Sequence, residues 1–137
     1  MSRYRSFPTN LFFVPKFEAL SSDTLRLIYI GIILDADDYG RGIASVSILG
    51  RKLAQPPDIV ERALSELEQQ GFVECYEVEE EHYYYVCNWF KLQKLSKPTN
   101  SGYPPSPSQV ASSEDPRKIQ VFPKIPREIL GNFRKTR

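Results

Sequence analysis

The chain has 137 residues, of which 41% are hydrophobic and 26% charged, with eight Phe, eight Tyr and one Trp; this suffices for one hydrophobic core and hardly two, so one domain with extensions is expected. The net charge of +1 hides an uneven distribution: residues 1 to 99 hold 11 Lys and Arg against 14 Asp and Glu, whereas residues 117 to 137 hold seven against Glu128 alone. No run of about 18 apolar residues exists to span a bilayer, and no apolar stretch follows the opening Met1-Ser2-Arg3-Tyr4-Arg5 as a secretory signal requires, so a cytoplasmic protein without membrane association is expected.

Leu11-Phe12-Phe13-Val14 is expected to lie extended on the core. Ser21-Ser22-Asp23-Thr24 offers side-chain oxygens to free backbone amides just before the apolar run Leu25 to Leu34, which predicts a capped and mostly buried helix. Asp35 to Gly42 then brings three aspartates and two glycines, composition that favours turns, and predicts an exposed loop.

Ile43 to Val46 suggests a short strand, and Ser47 a cap for a helix through Ile48, Leu49, Leu53 and Ala54 that stops at Gln55-Pro56-Pro57, because proline lacks the amide that continuation needs. A second helix starts at Pro57 or Asp58, carries an inward stripe of Ile59, Ala63, Leu64 and Leu67, and ends at Gly71, a residue suited to the left-handed cap. Phe72 to Val78 and His82 to Cys87 are rich in β-branched and aromatic residues and read as a strand pair with Glu79-Glu80-Glu81 at its solvated tip. Tyr83 to Tyr85 suit sheet packing first and base stacking second. Trp89, Phe90 and Leu92 are expected to fold back onto the domain. The resulting fold class is α+β: a winged helix-turn-helix with a two-stranded wing over residues 1 to 95, an extended Pro/Ser-rich linker over 96 to 116, and a basic, partly apolar tail over 117 to 137. Five Pro and six Ser in 96 to 116 support the linker, since such a segment buries too little to offset its ordering entropy.

Two cysteines and one histidine are too few for a structural zinc site, so no metal is predicted. A hairpin turning at 79 to 81 places Cys75 and Cys87 near one another; either a disulfide or two small buried thiols fits, the latter better in a reducing cytosol. His82 reads as a strand residue. No nucleophile with a partner, carboxylate pair or phosphate-cradling glycine loop occurs, so neither catalysis nor a cofactor is expected.

Residues 3 to 99 resemble the winged-helix N-terminal domains of bacteriophage replisome-organiser and replication-initiation proteins. The likeness lies in Arg3-Tyr4-Arg5, in Lys16-Phe17-Glu18-Ala19-Leu20-Ser21, in Val60 to Val73 and in the Trp-containing exit Asn88 to Thr99, and continues through Ser101 to Pro105. The resemblance implies a phage protein in the host cytoplasm that starts DNA replication through origin binding and recruitment of host replication proteins.

On such a helix pair the outward face of the second helix meets the major groove, here Asp58, Glu61, Arg62, Ser65, Glu66 and Gln69. Three of these are acids, and Glu77 to Glu81 adds four more, all repelled by phosphates. DNA contacts are therefore expected from Asp58, Glu61, Arg62, Ser65 and Gln69 on the second helix, from Arg51 and Lys52 on the first, from Arg41 in the preceding loop, and from Arg3 and Arg5 as a mobile arm. Lys91, Lys94 and Lys97 line the exit. In the tail, Arg117, Lys118, Phe122, Lys124, Arg127, Phe133, Arg134 and Lys135 interleave cations with apolar side chains, a pattern open to nonspecific nucleic-acid contact, partner docking or loose packing on the domain. Double-stranded DNA and host replication proteins are the expected partners. A homodimer is compatible with one winged helix's limited specificity, though no heptad seam demands it. The alternative function is an adaptor or inhibitor that meets a host protein through its acidic surface or its tail.

Overall fold

The computed structural model describes residues 4 to 112 and the short strand Arg134–Lys135. It is a mixed α+β fold in which helices cover one face of a small antiparallel sheet. A 3-10 turn at Leu11–Phe13 and a one-turn helix α1 at Pro15–Glu18 come first. The predicted extended segment is thus a pair of turns. Proline at the first helical position, where no amide bond is lost, starts α1 and seats Phe17 at 0% exposure, while Phe12 and Phe13 stay exposed.

Helix α2, Asp23–Asp35, begins as expected, with Ser22 Oγ accepting from the Leu25 amide at 3.1 Å. Its inner side buries Leu25, Ile28, Tyr29, Ile32 and Ile33. Arg26 secures the entry by donating to the carbonyls of Phe17, Glu18 and Leu20.

Residues 35 to 42 are not the exposed loop predicted from their aspartates and glycines. Ala36, Asp38, Tyr39, Gly40 and Arg41 are buried, because the loop satisfies its own polar groups: Asp37 Oδ1 accepts from the amides of Tyr39 and Arg41 at 2.9 and 3.1 Å. Gly40 adopts φ +79 with the Trp89 ring against it, a conformation and a closeness that a β-carbon would disturb. Strand β1, Arg41–Ile43, follows. It lies earlier than the predicted Ile43 to Val46 and shares only Ile43 with it, because Ser45 rather than Ser47 caps the next helix, α3, Val46–Leu53.

Helix α4, Pro57–Gln69, packs on α3 and on the sheet through Val60, Ala63, Leu64 and Leu67. Val60 is fully buried and Ile59 only partly, so the stripe lies slightly rotated from the predicted one. Gly71, at φ +83, closes the helix as expected. Strands β2, Val73–Val78, and β3, Glu81–Val86, form a hairpin, and β1 pairs with β3 on its far side. The two-residue turn places Glu79 and Glu80 at φ 51 and 69, the primed-turn geometry that usually recruits Asn and Gly. The register sets Cys75 opposite Tyr84, while the Cys87 amide bonds the Phe72 carbonyl at 3.0 Å. The two thiols are therefore offset along the hairpin, and no disulfide joins them.

Trp89 opens a short helix α5, Trp89–Leu92, and is fully buried, its Nε1 donating to the Asp38 carbonyl at 2.9 Å. Beyond it, the segment predicted to be an extended linker packs back instead. Residues 99 to 110, with the first turn of helix α6, Pro107–Ser112, lie against the face of the sheet that the helices leave uncovered. Ser101, Ser106 and Gln109 are buried. Composition missed this because the segment is held by hydrogen bonds rather than by apolar burial. Strand β4, Arg134–Lys135, pairs antiparallel with the outer edge of β2 at Tyr76 and Glu77. Among the described residues no helix is long and apolar enough to cross a membrane.

Candidate nucleic-acid interface

Helices α3 and α4 meet at a turn made tight by Ala54, which adopts φ 56 and bonds back to α3, and by Gly50, where a β-carbon would stand 2.6 Å from the Gln55 carbonyl. Behind α4 rises the β2–β3 hairpin. The outer face of α4 remains open: Asp58, Glu61, Arg62 and Gln69 are exposed and Ser65 is partly so. Arg62 lies 3.6 Å from Asp58 one turn earlier, an exposed pair in which both side chains keep about three quarters of their surface; contacts of this kind are worth little in water and leave the guanidinium available.

Glu66 faces elsewhere. Its carboxylate accepts from the Ser21 amide and hydroxyl at 3.0 and 2.8 Å, tying α4 to the entry of α2. Glu68 likewise turns inward, accepting from the Cys75 amide at 3.1 Å on the outer edge of β2. On α3, Arg51 is exposed, and Lys52 is exposed but held by Asp35 at 3.0 Å. The charge expected on this side is thus present at Arg51, Lys52 and Arg62, with Lys52 partly neutralised.

Two arginines expected on the surface are buried. Arg5 is no mobile arm: its side chain is 3% exposed, pairs with Asp38 at 3.2 Å, donates to the Ala36 carbonyl and sits 5.1 Å from the Trp89 ring centre. The neighbouring Ser6 exchanges two hydrogen bonds with the Gln93 amide. Arg41 is fully buried between the sheet and the 99–110 segment, donating to Gln109 Oε1 at 2.8 Å and to the Tyr103 carbonyl at 2.9 Å. Desolvation pulls its pKa down, opposed by the nearby Tyr76, Asp37 and Tyr39. Neither can reach phosphate in this fold. Arg3 and the tail residues Arg117, Lys118, Phe122, Lys124, Arg127 and Phe133 lie outside the described residues, and Arg134 and Lys135 are described by their strand pairing alone.

The tyrosines of the hairpin pack the sheet. Tyr84 is buried, its hydroxyl 2.7 Å from Asp35 Oδ2, and burial followed by that carboxylate raises its pKa well above the usual phenol value. Tyr76 is buried and donates to the Pro104 carbonyl at 2.6 Å. Tyr83 lies between Tyr76 and Tyr103, its ring tilted against both at centroid distances of 5.6 and 5.8 Å. Tyr76, Tyr84 and Tyr85 are buried and Tyr83 is half-buried, so these rings serve the sheet first.

Between α4 and the hairpin lies a groove of about 440 Å³. Its floor is apolar, with Ala44, Val46 and Leu64, and the residues lining it include Glu61, Glu68, Glu81 and His82. Among the described residues no lysine or arginine lines it. Sequence patterning had located the acids of the helix and the turn separately; their convergence on one groove depends on the hairpin register and could not be read from spacing. Among the described residues no group of acidic, cysteine or histidine side chains is arranged to hold a metal ion. Comparison with protein families, with characterised proteins and with solved structures finds no match to this chain.

Proposed function

We propose that this chain is a winged-helix protein of the phage replication-initiation type that binds duplex DNA. The observation that carries the reading is architectural: a tight helix pair, α3 and α4, stands beside an antiparallel hairpin, with the outer face of the second helix left open and carrying Arg62, Ser65 and Gln69. In such a unit the second helix enters the major groove from its N-terminal half while the first crosses the backbone. Arg62 is the residue suited to a guanine edge, and Arg51 and Lys52 sit where phosphates pass. The β2–β3 hairpin takes the place of the wing.

Charge sets the strength of this interaction. With Arg5 and Arg41 withdrawn into the core, three cations among the described residues, Arg51, Lys52 and Arg62, face the duplex against Asp58, Glu61 and the hairpin acids. Binding by the domain alone is weak, and the tail with its net charge of +6 supplies further attraction. A titration of the full chain against duplex DNA at two salt concentrations tests the reading: log affinity falls with log salt with a slope of about −3 or steeper. Arg51→Ala weakens all duplexes alike. Absence of binding at low salt would refute it. A second reading, contact with a basic host protein, is favoured by the acidic groove, and a partner retained through Glu61 and Glu81 would be its signature.

A further inference from the structure

We infer that the acidic groove and the neighbouring edge of β2 form a docking surface for a basic extended segment, and that its occupant is this chain's own C-terminal tail. The first observation is the strand pairing itself. Arg134–Lys135 joins β2 in antiparallel register, Arg134 opposite Glu77 and Lys135 opposite Tyr76, so the edge accepts a strand by backbone bonding, the mode by which sheets recruit extended peptides. An uncovered edge is a liability that folds generally blunt. Here the next edge amide, that of Cys75, is already satisfied by Glu68, which leaves the tip end of β2 as the place where a strand is wanted.

The second observation is charge. Cys75 and Glu68 line the groove as well as the edge, so a strand seated at Tyr76–Glu77 begins at the groove's margin. Glu61, Glu68 and Glu81 surround an apolar floor there. The tail matches this pattern, since its seven Lys and Arg are interleaved with Ile119, Val121, Phe122, Ile125, Ile129 and Phe133. Twenty-one residues separate Ser112, where α6 ends, from Arg134; at about 3.3 Å each they span about 70 Å, ample to pass the groove before reaching the edge. Docking in this way screens the acids beside α4 and withdraws the tail's cations from solution, so a polyanion and the groove compete for the same segment.

Amide hydrogen exchange on the full chain, followed by NMR, tests this with Arg134→Pro as the comparison, a substitution remote from the core that removes a backbone donor from β4. The expected result is at least tenfold slower exchange of the edge-facing β2 amide at residues 76–77 in the unaltered chain than in the variant, independent of protein concentration. Glu61→Gln with Glu81→Gln is expected to speed trypsin cleavage at Lys124 and Arg127 severalfold while thermal unfolding stays unchanged. Equal exchange in the unaltered chain and Arg134→Pro would overturn the docking. Protection that grows with concentration alongside a dimer in sedimentation would overturn the assignment to the same copy, placing the tail of a second copy on the edge.

Discussion

On its helix side the sheet is covered by aliphatic and aromatic side chains of α2 and α4, with Ile32, Leu67 and Val60 at 0% exposure. Its other side is covered by residues 99 to 110, held through Arg41, Gln109, Tyr76 and Glu74 by hydrogen bonds to carbonyls, amides and one another. The two burials differ in kind. Apolar packing is non-directional and scales with area, whereas a buried polar network contributes only while every member is satisfied. The first side should therefore fail as a whole, and the second should be able to open locally.

Breaking the apolar side carries the largest effect: Ile32→Ala is expected to lower unfolding stability by about 2–5 kcal/mol, read by urea denaturation, with no region opening ahead of the rest. Alkaline pH comes next. Burial, helped by the Cys87 thiol, pushes the Tyr29 phenol up to about 12, and Tyr84 and Tyr76 are raised mainly by burial as well. A phenol with a raised folded pKa contributes stability that is complete below the unfolded value near 10 and lost as pH climbs through the folded one. Stability is thus expected to fall between pH 10 and 12, and Tyr29→Phe to lessen that fall.

Gln109→Ala sharpens the contrast. It removes the hydrogen bonds that Gln109 makes to Arg41 Nε and the Tyr39 carbonyl, a loss of about 1–3 kcal/mol, and amides of residues 101 to 110 are expected to exchange faster well before the core does. If the core and this segment lose protection together, the two sides do not differ as described. The smallest effect lies at the hairpin tip. Glu79→Asn with Glu80→Gly places residues tolerant of positive φ where two glutamates now sit, and a gain of about 1–2 kcal/mol in the denaturation midpoint analysis is expected.

The same contrast explains what the sequence could tell. The caps at Ser22 and Gly71, the stripe on α4, the strand pair and the inward Trp89 all follow from periodicity and local backbone chemistry, which are written in neighbouring residues. The burial of Arg5, Arg41 and the 35–42 loop depends on partners such as Asp38, Gln109 and Tyr103, 33 to 68 positions away. Nothing local distinguishes a buried arginine from a solvated one. The candidate interface was legible in the same unequal way: the open positions Arg62, Ser65 and Gln69 come from helical spacing, but the acidic groove beside them needed the hairpin register.

Selection of the full chain on a pool of randomised duplexes, beside Arg62→Ala, tests the functional account most directly. A preferred sequence enriched by the unaltered chain and blurred at one or two positions in the variant is the predicted result. Retention of duplex with no enrichment over the starting pool, identical for the two proteins, would contradict base reading by α4.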